Sequence, residues 1–328
     1  MSEQKQENGI YVGIDTSNYT TSLAVCNDAG QVLANWKMPL PVKAGERGLR
    51  QSDAVFAHVK HLPQLMRQLQ KLLHPTDAAA PVLRGVGYSA TPRPDKDSYM
   101  PCFLAGAVAA QTLSAATNAP LQAFSHQEGH IMAALFSAKA TDLVESAAGE
   151  PFVAFHVSGG TTDVVLVRPR GERFDIKPLG TSEDLHAGQA IDRIGVHMGL
   201  AFPCGAEMER LAACCESKIP RPRVCVDGLC CHLSGLENLA VNLYDKTKDA
   251  ALTSAYTLDF IGQTLSLMCA EIRRRFPSSP IVFSGGVMSN RRIQGLIAKQ
   301  HQAFFSEPQF SADNAAGIAL LCRRAIKK

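Results

Sequence analysis

No apolar run in these 328 residues approaches the ~20 that a bilayer-crossing helix needs, so no membrane contact is expected. The first residues, MSEQKQENG, are polar and lack the apolar core of a signal peptide, and a cytoplasmic protein is expected. The ten cysteines include no C-x-x-C pair. Six of them fall between Cys204 and Cys231, where a zinc or iron–sulfur site is conceivable, but the spacings match no standard zinc pattern and small buried free thiols are expected. No H-E-x-x-H occurs and no nucleophile–base pair stands out, which argues against a protease. A large charge of one sign is also missing: the formal net charge of +3 neither requires nor excludes a nucleic-acid partner.

What is present is enough apolar material, 46% of residues, to bury a real core. The length suits roughly two domains of ~150 residues. Residues 10–25 read as strand, polar turn, strand around Asp15-Thr16-Ser17-Asn18. Residues 32–37 and 82–89 read as strands, and 53–73 as a helix with Ser52 or Asp53 as its N-cap. Residues 91–99 form a Pro-rich, charged loop, 103–116 a buried helix, 121–124 a strand and 126–137 a helix. The strand-pair pattern restarts at 152–167. Helices are expected over 191–199, 206–215, 253–276, from Arg291, and over 314–326, with a strand at 280–284. Each half thus opens with a strand pair and continues into strand–helix units, as two related α/β lobes would. The expected boundary lies in the small, polar, acidic stretch 138–150, giving lobes 1–145 and 146–313 with the last helix, 314–328, packed back on the first.

Residues 152–167 hold an apolar run, then Ser158-Gly159-Gly160-Thr161-Thr162, then a second apolar run. Glycines let a ligand approach the backbone N–H groups, and the hydroxyls add further partners for phosphate oxygens. An ordinary hairpin turn is the other reading. A second Ser-Gly-Gly follows a strand at Ser284-Gly285-Gly286, with Asn290 just beyond and a helix after it; a strand-to-helix turn points N–H groups at an anion. Asp15-Thr16-Ser17 could orient phosphates or their metal, or could simply bond its own backbone. His126 and His130 are four apart, so on a helix both can reach one metal ion, or they could cap the helix or face solvent. Asp313 is the candidate to complete that set, and equally a helix N-cap. Asp192, after a polar loop at a helix head, could accept hydrogen bonds from a ribose or be a plain surface carboxylate.

In this order the motifs resemble the family of tRNA threonylcarbamoyladenosine synthase subunits, once labelled glycoproteases, within the actin-like ATPase superfamily. The residues that carry the resemblance are Asp15-Thr16-Ser17, His126-Gln127-Glu128-Gly129-His130, Val157 to Thr162, Ala187 to Arg193, Phe202 to Gly205, Ser234-Gly235-Leu236, Gly285 to Arg291 and Ala312 to Ala315. The resemblance implies two actin-like lobes of ribonuclease H-like topology with a nucleotide and metal cleft between them. It implies that His126, His130 and Asp313 bind one divalent metal, iron or zinc. It implies that ATP or an acyl-adenylate is held by His156, Val157, Ser158, Gly159 and Gly160 together with Asp192, Gly205 and Asn290; Thr161, Gly285 and Gly286 complete the two Gly-Gly turns. The reaction implied is transfer of a threonylcarbamoyl group from its adenylate to an adenosine beside a tRNA anticodon, with a homodimer, or a heterodimer with a related subunit, as the assembly.

The chain departs from the family in places. Bacterial members read S-G-G-H-T where this chain has Thr161. His156 stands where archaeal and eukaryotic members often place a tyrosine metal ligand, and is expected either to bind metal or to pack in its strand. Asn18-Tyr19-Thr20 replaces an acidic pair, residues 92–99 replace a Pro-Gly-Leu loop, and Glu237 replaces a lysine. These differences leave a second expectation, a non-catalytic nucleotide-binding partner subunit.

Overall fold

The first strand does not alternate between buried and exposed positions; all nine of its residues, Gly9–Ser17, are buried. A strand reads this way when both faces of its sheet are covered. In this computed structural model, residues 8–17, 19–41, 49–76, 78–145, 149–311 and 315–327 are described. The elements run β1 (Gly9–Ser17), β2 (Thr20–Asn27), β3 (Val32–Pro39), α1 (Gln51–Leu73), β4 (Val82–Thr91), α2 (Phe103–Thr117), β5 (Leu121–Ser125), α3 (His126–Ser137) and α4 (Asp142–Glu145). They continue with β6 (Phe152–Val157), β7 (Thr162–Arg170), β8 (Arg173–Thr181), α5 (Ala187–His197), α6 (Gly205–Ala213), β9 (Val226–Asp227), β10 (Cys230–Cys231), α7 (Ser234–Thr247) and α8 (Ala250–Arg275). The chain ends with β11 (Ile281–Ser284), a short 3-10 turn (Gly286–Ser289), α9 (Arg291–Ala298), β12 (Phe304–Phe305), α10 (Pro308–Ser311) and α11 (Ala316–Ile326).

The chain divides into two compact units, one of Met1–Phe136, Arg170–Phe174 and Asp313–Lys328, the other of Ser137–Pro169 and Asp175–Ala312. The first unit holds a sheet in the order β3-β2-β1-β4-β5. β1 to β3 are antiparallel neighbours, and β4 and β5 are parallel to β1. On one face α11 lies so close that a Cβ on Gly13 would sit 2.5 Å from the Ala315 carbonyl oxygen. The other face buries Leu62, Leu65 and Leu69 of α1 with Ile10, Val12, Ile14, Leu23 and Val25. The second unit repeats the design, with the order β12-β11-β6-β7-β8. Here β6 pairs antiparallel with β7 and parallel with β11. Its core joins Val153, Phe155 and Phe283 of the sheet to Leu258, Ile261, Leu265 and Met268 of α8. No described helix is long and apolar enough to cross a membrane.

Several local expectations need correction. α1 begins at Gln51 with Arg50 at the N-cap and no side-chain cap, so Ser52 and Asp53 lie inside the first turn; Asp53 there still favours the positive end of the helix dipole. α2 is apolar all round yet only partly buried: Phe103, Ala105, Gly106 and Ala110 face the core, while Leu104 and Val108 are exposed. β8 carries Pro178 and charged residues, which obscured it, and it is tolerated because β8 is an edge strand. α7 was also unforeseen. Its start is held from far along the chain by Asp184, which accepts from Leu233 N at 2.7 Å, Ser234 N at 3.2 Å and Ser234 Oγ at 2.5 Å. Burial pushes the Asp184 carboxyl up, but these bonds outweigh it and hold it at about 2.

Behind β1 and β2 lie two imidazoles from α1, His58 buried and His61 half-buried. Thr21 Oγ1 is 2.8 Å from His58 Nδ1 and 3.1 Å from His61 Nδ1. Burial lowers the His58 pKa to about 4, partly opposed by a hydrogen bond with the Ser17 backbone and by the charge of Asp15, with His61 lowering it further. An unfolded His58 takes up a proton near 6.5. Protons therefore favour the unfolded chain between these values: the stabilisation is whole above about 6.5 and is lost as pH falls toward about 4. We expect the denaturant midpoint to drop across that window and His58→Gln to flatten the drop; an equal slope in both proteins would contradict this.

Candidate functional site

The carboxyl ends of β1, β4 and β5 meet at one edge of the first unit's sheet, because the three strands are parallel. Asp15 stands there fully buried within β1, not in the turn where the sequence placed it. Its Oδ1 accepts from Ser89 Oγ on β4 and lies 2.8 Å from His126 Nδ1 at the head of α3. The His126 and His130 rings, one helical turn apart, stand edge-on with centroids 4.2 Å apart. A carboxylate on Nδ1 fixes the tautomer of His126 and leaves Nε2 with the lone pair, the arrangement that orients a metal-ligating histidine. The donor set thus fits a divalent metal of the kind that takes imidazole.

Thr16 turns its hydroxyl inward, donating to Cys102 O at 3.0 Å and accepting from Gly106 N at 3.1 Å. It locks the entry of α2 in place. Ser17 is likewise buried at the end of β1, and Asn18 lies outside the described residues. Burial, and then the nearby Asp15, push the Cys102 thiol up to about 11, so it is no thiolate nucleophile at neutral pH. Asp313, the expected third ligand, also lies outside the described residues. Among the described residues, no group of three or more His, Cys, Asp or Glu side chains forms a metal site.

In the second unit both Ser-Gly-Gly turns sit at the same sheet edge, because β6 and β11 are parallel neighbours with Ser284 opposite His156. His156 Nδ1 is 3.2 Å from Ser284 Oγ, and Ser284 Oγ donates to Phe155 O at 3.0 Å. Gly285 has φ +97°, and a Cβ on it would lie 2.2 Å from the Val157 carbonyl oxygen, so only glycine brings this turn against β6.

The β6–β7 turn is closed by its own residues. Ser158 N donates to Thr161 O at 2.8 Å, and Ser158 Oγ accepts from Gly160 N at 3.3 Å and Thr161 N at 3.2 Å. Two of the N–H groups expected to await a phosphate are therefore drawn toward a hydroxyl. The start of α5 abuts the turn: Gly188 N donates to Ser158 O at 3.1 Å and Ala187 N to Thr162 Oγ1 at 3.0 Å. A Cβ on Gly188 would come 2.6 Å from Gly159 Cα, whereas Cβ atoms on Gly159, Gly160 and Gly286 would meet nothing within 4 Å. The helix N-terminus adds its positive end beside that open space. Gly188, within the Ala187 to Arg193 motif, thus joins the candidate site through its contact with the turn.

Two other candidates have structural partners. Asp192 lies in the middle of α5 rather than at its head, half-buried, and accepts from Cys204 N at 2.8 Å. Burial raises its pKa and the Cys204 bond opposes the rise. It thereby fixes the turn that leads into Gly205 at the start of α6. Asn290 caps α9 by accepting from Ile293 N at 3.1 Å. In the cysteine-rich stretch the expected burial holds only for Cys204 and Cys231, which belong to the core; Cys215 and Cys230 are half-buried and Cys214 and Cys225 exposed, and all ten thiols are free.

With this geometry in view, comparison with known proteins is decisive about kinship. Residues 55–320 match the tRNA N6-adenosine threonylcarbamoyltransferase family. The chain belongs to this family. Its fold is also similar to that of the activator of 2-hydroxyisocaproyl-CoA dehydratase from Clostridium difficile with bound ADPNP, at 12% identity and TM-score 0.52, covering 97% of this chain and 96% of that one. Component A of the (R)-2-hydroxyglutaryl-CoA dehydratase from Acidaminococcus fermentans matches at 13% identity and TM-score 0.52, covering 97% and 99%. HypF from T. kodakarensis matches at 12% identity and TM-score 0.59, covering 98% of this chain and 48% of that chain. The fold is thus α/β of the actin-like ATPase kind.

The glycine geometry separates fold from ligand. Gly160→Ala has room and should leave the melting temperature unchanged while weakening ATP binding at least ten-fold. Gly188→Ala should displace the turn and lower both. Calorimetry and thermal melts read the two effects, and full ATP affinity in Gly160→Ala would remove this turn from the ligand site.

Proposed function

We propose that the protein is a metal-dependent, nucleotide-binding transferase that moves a threonylcarbamoyl group from its adenylate to an adenosine next to a tRNA anticodon. The observation that carries this reading is the His126–His130 pair with Asp15 behind it, in a chain of the threonylcarbamoyltransferase family. His126 and His130 would hold the metal, with Asp313 assigned by sequence and His156 proposed as a further ligand. When bound, the metal supplies a Lewis acid. The Ser158–Thr161 turn, the start of α5 and the Gly285-Gly286 turn would seat the phosphate of the adenylate. Related folds carrying ADPNP, or phosphate and nucleotide, support a nucleotide ligand.

A second reading, a non-catalytic nucleotide-binding partner subunit, is favoured by one contact. Glu237, at the position of a family lysine, is paired with Arg193 at 3.1 Å and brings no positive charge. One experiment separates the two. The protein is incubated with threonylcarbamoyl-adenylate and tRNA, the nucleosides are analysed, and the bound metal is measured in the same preparations. Wild type should form the modified adenosine, while His126→Ala and His156→Ala should lose metal and product together. Nucleotide binding without product would establish the second reading, and undiminished metal in His156→Ala would remove that ligand.

We also propose assembly with a second copy or a related subunit through α1 and α2. Phe56 and Val59 on α1 and Leu104 and Val108 on α2 are exposed apolar side chains, more than an isolated surface helix normally presents. Sedimentation should show a dimer that Leu104→Asp with Val108→Asp converts to monomer; an unaltered mass for the double variant would reject this face.

A further inference from the structure

A cleft of about 320 Å3 opens within the first unit at the carboxyl ends of β4 and β5, lined by Thr91, Pro94, Phe124, Glu128, Arg173 and Phe174 among others. Ligands in open α/β sheets collect at this end of the strands. Its lining includes neither Gly-Gly turn, and none of its polar groups is used by the chemistry proposed above.

The floor is built from buried, satisfied groups. Glu128 is 2% exposed. Its carboxylate accepts from Ser125 N at 2.7 Å, Ser125 Oγ at 2.9 Å, Phe174 N at 3.4 Å and Arg173 Nη1 at 3.5 Å. Arg173 is the exception to this burial. Its side chain is 49% exposed, and its guanidinium carbon lies over the Phe124 ring, 4.6 Å from the ring centroid. One carboxylate and one ring thus hold a cationic group that remains half exposed. Pro94, also exposed, lines the same cleft from the 91–99 loop. That loop is held by Thr91 Oγ1 donating to Arg93 O at 2.7 Å, Arg93 N donating to Ser98 Oγ at 2.9 Å and Gln127 N donating to Pro92 O at 3.1 Å.

We propose that this cleft seats an unpaired RNA base, stacked on the exposed Arg173 guanidinium, with Pro94 as a second lining group. The proposal rests on the tRNA reading above. A free phosphate would meet a single arginine with the Glu128 carboxylate beneath it, a poor anion site. An aliphatic group would cover the guanidinium plane without compensating it. A flat heteroaromatic ring suits both the plane and the polar floor, and single-stranded RNA bases are recognised by stacking on arginine and aromatic planes. Arg173 pairs with Glu128, so it serves as a platform held in place rather than a mobile surface charge.

The test compares a fluorescently labelled RNA stem–loop with a blunt duplex of the same stem, by anisotropy, using the full chain. Arg173→Lys keeps the charge and removes the plane. It should weaken stem–loop binding about ten-fold and leave the duplex nearly unchanged. Pro94→Ala, at an exposed position remote from the buried floor, should weaken the stem–loop in the same direction. Wild-type affinity in both variants, or equal losses on both RNAs, would overturn the base seat while leaving the tRNA reading intact. A wild-type protein with no preference for the stem–loop would overturn both.

Discussion

In each unit a parallel pairing sets a serine of the strand beyond the crossover beside a titratable residue of the first strand. Ser89 on β4 bonds Asp15 on β1, and Ser284 on β11 lies against His156 on β6. The repeated strand order puts Asp15 and His156 at equivalent places. Everything chemical in the chain sits at or just past these two points: α3 with its histidines follows the end of β5, and the Gly-Gly turns follow β6 and β11. Parallel pairing forces this clustering, since β1, β4 and β5, and likewise β6 and β11, end on one side and the loops from that side converge.

The two units use that shared geometry differently. In the first, side chains form the candidate site: a fully buried carboxylate orients an imidazole, and a second imidazole stands one helical turn away. In the second, backbone carries it. Gly285 must be glycine because β6 lies against it, and Gly188 must be glycine because the Ser158–Thr161 turn does. These contacts hold the turn at the mouth of α5 and leave Gly159 and Gly160 facing open space. A side-chain cluster resists substitution through its hydrogen bonds, while a backbone cradle resists it through volume.

Much of this was legible beforehand. Strand pairs showed as apolar runs around polar turns, α3 as a helix beginning at His126, and the family from motifs spread over most of the chain. What escaped notice came from partners distant in sequence. Asp15 reads as a turn residue until β4 and α3 close around it. Asp192 reads as a free carboxylate until the Cys204 amide meets it. α7 has no local start signal because Asp184, fifty residues earlier, supplies the cap.

The sequence by itself determined the class of fold, the repeated strand-pair design and the membership in the threonylcarbamoyltransferase family, because periodicity and short motifs are local properties of the chain. Only the tertiary structure decided which of the polar residues hold the scaffold. Asp15, Thr16, Asp192 and Asn290 look alike as polar residues near turns. Burial and a nearby donor or acceptor make each a positioning group, since a buried polar atom must find a partner and that partner is chosen by the fold.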